Sequence, residues 1–218
     1  NPWAKLPGLP WTIVAGFAIL LAHKLSGKNL ALFAAVTMIY ISAFGQWKPS
    51  MQTLSFVLVA APISFILGLG FGIWAYKSKK VENILNPLLN VAQTMPHYSY
   101  LIPIMVLFGI GDHAGAIATI IFATPPMVRL TVLGLRKVSP EVIEAGKMSG
   151  CNDYQLLSEV LIPTARRDIL IGVNQVIMQC LAMAVIASFI GAKGLGWNLL
   201  LALNQLRIGL ALEAGICI

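Results

Sequence analysis

Stretches of about twenty apolar residues recur along this 218-residue chain, bounded by charge, proline or glycine, and they restrict its fold more than any other feature. A bilayer core takes roughly 20 apolar residues per helix, at about 1.5 Å of rise each. Seven runs fit that measure in whole or in part: 11–22, 30–45, 51–76, 87–110, 115–135, 169–190 and from 208 onward. The first is short enough to be an interfacial or partial segment, and Pro96 and Pro103 leave the fourth bent or broken. Only 11% of the residues are charged, against about a quarter in soluble domains, which excludes a soluble globular protein. Alternation over seven spans puts the termini on opposite sides.

The few charges make the orientation readable. Fifteen Lys and Arg against eight Asp and Glu give a formal +7. On a soluble domain that excess would suggest nucleic acid, but here the basic residues lie between apolar runs and mark membrane orientation, so no nucleic-acid partner is expected. Short loops rich in Lys and Arg stay in the cytoplasm. Alternate connections collect Lys24, Lys28, Lys77, Lys79, Lys80, Arg136, Lys137, Lys147, Arg166 and Arg167 on one side, and Lys5, Lys48, Lys193 and Arg207 on the other. The first set defines the cytoplasmic face. Arg129, seven positions before Arg136, is expected to snorkel to that face as an interface anchor.

Gly68, Gly70 and Gly72 in LGLGFGIW contain a G-x-x-x-G pair, which lets helix backbones approach closely in lipid. A nucleotide-binding glycine loop would need a preceding strand and a following helix start, and neither is present. Cys151, Cys180 and Cys217 form neither a disulfide framework nor a C-x-x-C pair and are expected to pack as small apolar residues. The chain lacks an initiator Met and stops inside an apolar run, so both ends, the last helix included, are expected to be cut from a longer protein.

The most polar stretch is the connection 136–168, which holds five of the eight acidic residues. It reads as two short helices. Ser139 is a suitable N-cap, with Pro140 in the first helical position and Glu141 in the first turn, and the helix ends near Gly150. Asn152 or Asp153 caps a second helix, 154–161, which is expected to stop before Pro163. There Tyr154, Leu157 and Leu161 share one face, with Leu156 and Val160 beside them. An amphipathic helix on this surface suits a membrane interface or a partner's groove.

Within this connection Glu144-Ala145-Gly146, then Gly150, then Val160-x-Ile162-Pro163 resembles the E-A-A-x-x-x-G-x(9)-I-x-L-P signature of the permease subunits of binding-protein-dependent ABC importers. Gly146, Val160 and Ile162 replace the second Ala, Ile and Leu, and every spacing is kept. The resemblance implies an all-α integral membrane protein with the type I importer (MetI-like) permease fold: an N-terminal extension over 1–50 and a permease core over 51–218 with five core helices. It also implies that 136–168 docks on a cytoplasmic ATPase, with Glu144, Ala145, Gly146, Gly150 and Pro163 shaping the turn and Asp153, Tyr154, Leu156 and Leu157 as contacts. Pro87-Leu88-Leu89, Gln93-Thr94-x-Pro96, Leu101-Ile102-Pro103-Ile104, Leu107 to Gly111, Thr119 to Ala123 with Pro125-Pro126, Gly172 to Gln175, Val185 to Ser188 and Gly194-Leu195-Gly196 resemble the glycine betaine and proline betaine permeases. The implied substrates are methylated-ammonium osmolytes such as betaines, choline or trimethylamine N-oxide. The implied assembly is a homodimer in the bacterial cytoplasmic (inner) membrane, surrounded by lipid, with two ATPase subunits that carry ATP and Mg and an extracytoplasmic binding protein.

Polar residues at membrane depth mark pathways or polar helix contacts. Gln93, Thr94, Tyr98 and Tyr100 on the fourth run and Asn174, Gln175, Met178 and Gln179 on the sixth are the candidates for a translocation path. Either tyrosine would suit a methylammonium through cation–π attraction. Gly194, Gly196 and Trp197 are expected in a turn before a short interfacial helix, 198–203, and by resemblance near the outer gate. His23, His97 and His113 fall in separate segments and read as polar surface residues, and neither a catalytic constellation nor a metal-ligand set is suggested. Neither Gly27-Lys28 nor Gly146-Lys147 lies in a P-loop, so no cofactor is expected on this chain and energy must arrive through a partner. A secondary transporter would call for intramembrane carboxylates or inverted repeats, and Glu213 alone lies within a predicted span. A membrane enzyme is disfavoured by the missing catalytic set, whereas an importer of another solute, such as an amino acid or taurine, stays open.

Overall fold

A lipid-embedded backbone must satisfy its own hydrogen bonds, so apolar runs of this kind fold as helices. The computed structural model describes residues 11–218, and among them every regular element is helical. The order is α1 (Trp11–Ser26), α2 (Lys28–Ala43), α3 (Trp47–Lys77), α4 (Lys79–Thr94), α5 (His97–Phe108), α6 (Asp112–Arg136), α7 (Pro140–Met148), α8 (Asp153–Gln155), α9 (Ile162–Ile186), α10 (Leu195–Asn204) and α11 (Ile208–Cys217). A π-helical turn, Leu156–Leu161, joins α8 to α9, and a 3₁₀ turn, Ala187–Ile190, extends α9. Among the described residues three helices are long and apolar enough to cross a membrane: α3, α6 and the continuous Asp153–Ile190 helix.

The frame is α6 packed between α3 and α9. Water gives TM helices no hydrophobic drive to associate, so close van der Waals contact has to hold them. A Cβ built on Gly68 would lie 2.5 Å from the Met127 Cβ, and one on Gly72 would lie 2.5 Å from the Thr131 Cβ, whereas Gly70 faces open space. On the other side of α6, a Cβ on Gly172 would lie 2.6 Å from the Met127 Sδ. The Met127 side chain therefore fills notches on two helices at once and is fully buried. The buried stripe of α3, Val57, Ala60, Ser64, Gly68, Gly72 and Ala75, follows the helical repeat and meets this face.

Elsewhere the expected runs are modified. The fourth is two helices: α4 begins at Lys79, ahead of the expected start at Pro87, and Pro96 ends it and caps α5. Pro87 and Pro103 both lie inside helices, so the break falls at Pro96, not at Pro103. Both α1 and α2 have sixteen residues, about 24 Å at 1.5 Å per residue, short of a roughly 30 Å core. They pack on each other, α2 touches α3 lightly, and they expose Phe17, Leu20, Phe33, Val36 and Ile39. The outer helix α10 starts at Leu195, so Gly196 and Trp197 belong to it and not to a preceding turn.

At one end Glu82 of α4 accepts from Arg136 of α6 at 2.5 Å, and Lys137 meets Asp168 at 2.7 Å. At the other, the Lys193 N–H donates to Asp112 (2.7 Å), the Leu195 N–H to the Thr53 hydroxyl (2.9 Å) and the Asn198 amide to Gln46 (3.0 Å). Lys5 lies outside the described residues. Because a Leu at position 72 must push α3 off Thr131, Gly72→Leu should lower stability in detergent by about 1–3 kcal/mol, while Gly70→Leu leaves it unchanged. Thermal unfolding of the two variants side by side checks this.

Candidate functional site: a helical hairpin and a polar pocket

The connection after α6 is a rigid helical hairpin. Ser139 adopts extended backbone ahead of Pro140 at the start of α7, and the Glu141 carboxyl is held below its usual range by its own backbone N–H and the Ser139 hydroxyl. The helix closes in a Schellman arrangement, with Cys151 N–H on the Gly146 carbonyl (3.2 Å) and Gly150 N–H on the Lys147 carbonyl (3.0 Å). Gly150 sits at φ +80° with open space around it, so it serves backbone conformation and not close packing. Gly146 does the close packing: a Cβ there would lie 2.8 Å from Leu156 Cδ1. Asn152 is the cap of the second arm, exchanging reciprocal hydrogen bonds with Gln155.

The second arm does not stop before Pro163. It continues through the π turn, where the Ile162 N–H reaches the Leu157 carbonyl, and Pro163 sits in the first turn of α9. A proline ring clashes with the carbonyl four residues back in a regular helix, and the wider π turn is where this helix accommodates it. The same turn breaks the expected shared face. Tyr154 is 75% exposed, whereas Leu156, Leu157 and Leu161 are buried, so Leu156 and Leu157 hold the hairpin together and are not external contacts. Glu144, Ala145, Asp153 and Tyr154 remain on the surface. Met148, 89% exposed, stands with them; nothing in the spacing had separated it from an ordinary helical methionine.

Helix α4 is tethered to α6 by two polar links. Glu82 is buried between Lys79 and Arg136, whose hydrogen bonds hold its carboxyl below the usual glutamate range against the opposing effect of burial. Two turns deeper, Arg129 donates to the Asn90 side chain. Arg129 is therefore a helix-to-helix link and not a simple interface anchor, because Asn90 on α4 offers an acceptor that the interface would otherwise supply.

The path candidates divide. Gln93 and Gln179 come together with Met95, His97, Phe122 and Pro126 around a cavity of about 210 Å³ at the α4–α5 break. Tyr100 does not join them: it is buried, donates to the Ala92 carbonyl and packs edge-on against Phe122. Tyr98 packs edge-on against Phe189 with its ring half exposed, and the Thr94 hydroxyl returns to the Asn90 and Val91 carbonyls. Asn174, Gln175 and Met178 lie exposed along α9. His97, read from sequence as a surface histidine, lines the cavity with its ring 4.3 Å from Phe122.

The sequence pattern of binding-protein-dependent transport system inner membrane components matches residues 64–218. The chain belongs to that family. This inner membrane component is 72% identical over its whole length to the trimethylamine N-oxide transport system permease protein TmoV of Pelagibacter ubique (strain HTCC1062), of which it covers 30%. It is 47% identical over 99% of its length to the protein of that name from Ruegeria pomeroyi, covering 33% of it. It thus spans about a third of the length of these two relatives. It is also 42% identical over 98% of its length to the glycine betaine transport system permease protein OpuAB of Bacillus subtilis (strain 168), covering 74% of it. Among solved structures, the inward-facing MetNI methionine ABC transporter superposes with a TM-score of 0.67 at 19% identity, over 79% of this chain and 90% of that one, which establishes the fold.

At the outer end of this family member, a Cβ on Gly194 would lie 2.5 Å from the Thr53 hydroxyl and one on Gly196 2.7 Å from the Val185 Cα. Both glycines therefore seat α10 on α3 and α9, and the partly exposed Trp197 projects from the surface. The α4 tether yields a pH signature. Because the Glu82 pKa is lowered on folding, its contribution is full above the ordinary glutamate value of about 4.3 and is lost as pH falls through the lowered one. Thermal stability of Glu82→Gln should lie below that of the unsubstituted protein at neutral pH, and the gap should close on acidification; a gap that persists below the glutamate range contradicts the assignment.

Proposed function

We propose that this chain is the permease core of an ATP-driven importer of small methylated amines, with trimethylamine N-oxide as its principal substrate. The observation that carries the reading is the 72% identity across all 218 residues to a trimethylamine N-oxide permease; the betaine permease relative, at 42%, supports the wider substrate class. The importer is a homodimer of this subunit in lipid, with two cytoplasmic ATPases binding ATP and Mg and an extracytoplasmic binding protein docking near Trp197. The chain performs no hydrolysis itself. The exposed rim of the hairpin, Glu144, Ala145, Met148, Asp153 and Tyr154, is the surface an ATPase cleft would take, and the buried Gly146–Leu156 contact makes α7 and α8 move as one body. Asn174, Gln175 and Met178 line the path between the two copies.

Reconstitution of the full-length permease with its ATPase and binding protein in proteoliposomes tests this directly. ATP-dependent uptake is expected for trimethylamine N-oxide and, more slowly, for glycine betaine; uptake of an amino acid or taurine in preference to both would overturn the substrate reading. In the same vesicles Gly146→Leu should strain the hairpin by about 1–3 kcal/mol. It should abolish the hydrolysis stimulated by loaded binding protein while the permease still inserts, and stimulated hydrolysis at the unsubstituted level would count against a coupling role.

A further inference from the structure

The cavity at the α4–α5 break has properties that helix packing does not require. Its wall holds two side-chain amides, Gln93 and Gln179, from different helices. Among the described residues neither amide has a hydrogen-bond partner, although uncharged polar groups at membrane depth ordinarily find one. Gln93 is exposed and Gln179 partly exposed, so both amides are open to a solute. The depth follows from α6: Phe122 lies ten residues from Asp112 and fourteen from Arg136, about 15 Å and 21 Å along the axis at 1.5 Å per residue, so the cavity sits near the middle of that crossing. The rings of His97 and Phe122, with centroids 4.3 Å apart, line the same cavity.

We infer that this pocket is a substrate site within a single copy of the permease, selective for a compact zwitterion with a methylated cationic nitrogen and an adjacent oxyanion. The amide N–H groups of Gln93 and Gln179 donate to the oxyanion. The aromatic ring of Phe122, against which His97 packs, attracts the methylated nitrogen, which has no proton to donate and so gains from a π face what it cannot gain from a hydrogen bond. The volume of about 210 Å³ exceeds the roughly 10–15 Å³ that one water needs and falls short of the roughly 300–1,000 Å³ of pockets for drug-sized ligands. It therefore fits a small solute. Gln93 and Met95 are exposed, giving the pocket a mouth, and Gln175 lies one turn from Gln179 along the exposed face of α9, extending the polar track out of it. Break and pocket coincide because Pro96 ends α4 there and lets α5 turn away from Gln93.

This inference rests on the proposed substrate class and assigns the selection of that class to a second site besides the binding protein. The test uses the full-length transporter in nanodiscs without its binding protein, with trimethylamine N-oxide as the probe and saturation-transfer NMR on its methyl protons. Saturation transfer is expected in the unsubstituted transporter and is expected to fall about tenfold in Gln93→Leu/Gln179→Leu, the loss for removing hydrogen bonds to a charged acceptor. Equal transfer in both overturns the pocket. Because Gln93 is exposed, Gln93→Leu alone does not threaten folding. In proteoliposomes with saturating binding protein, it should cut maximal uptake several-fold while stimulated ATP hydrolysis continues; uptake at the unsubstituted rate also overturns the pocket. If the unsubstituted transporter carries no methylated amine at all, the functional reading fails instead.

Discussion

Everything else in this protein hangs on the fit of Met127 between two glycines. Its Cβ and Cγ enter the notch at Gly68 on α3, its Sδ and Cε enter the notch at Gly172 on α9, and none of it is exposed. In lipid, helix association draws on such contacts and not on exclusion of water, so one flexible, polarizable side chain in two notches sets the spacing of the three long helices. Thr131 against Gly72 repeats the contact one turn further on, and Gly134 against Asp168 continues it to the hairpin end. With that frame fixed, α4, α5, α10 and the α1–α2 pair attach to its sides through thinner contacts.

The scarce polar groups occupy the positions that the frame leaves free. Asp112, Thr53 and Gln46 tie the outer loop and α10 to α6, α3 and the turn preceding α3. Glu82 and Asn90 tie α4 to α6 on the inner half. Between these two belts lie the two unpartnered glutamine amides, and beyond the inner belt stands the hairpin with Met148 and Tyr154 outward. One uninterrupted helix, Asp153–Ile190, starts in the hairpin, passes the pocket at Gln179 and ends against Gly111 at the outer side. In the proposed importer this helix is the mechanical link between a driven cytoplasmic surface and the solute pocket, and its π turn beside Pro163 lies between the two.

Much of this was legible in the residues. The glycine pair of LGLGFGIW, the break at Pro96, the positive-φ turn at Gly150 and the capping role of Asn152 follow from local stereochemistry, which acts within a few residues and leaves its mark in spacing. The signature over 144–163 pointed to the hairpin as a unit. Three features depend on partners far along the chain and left no such mark. The π turn carries the second arm through Pro163, with Leu156 and Val160 against Gly146 and Leu157 buried in the core. Arg129 meets an acceptor 39 residues away. His97 and Gln179 meet across a cavity whose walls are set by the crossing of α6 and α9, so neither sequence position could show that a histidine and an amide face one space.

In the proposed importer, motion imposed on the hairpin reaches the pocket through the Asp153–Ile190 helix. Spin labels at positions 93 and 175, on the two sides of the pocket mouth, report it by pulsed electron resonance in the assembled transporter. The distance distribution is expected to shift between the nucleotide-free and ATP-bound states and to stay fixed when Gly146→Leu disrupts the hairpin. A distribution that is the same in both nucleotide states, or one that shifts equally in the Gly146→Leu protein, would contradict it.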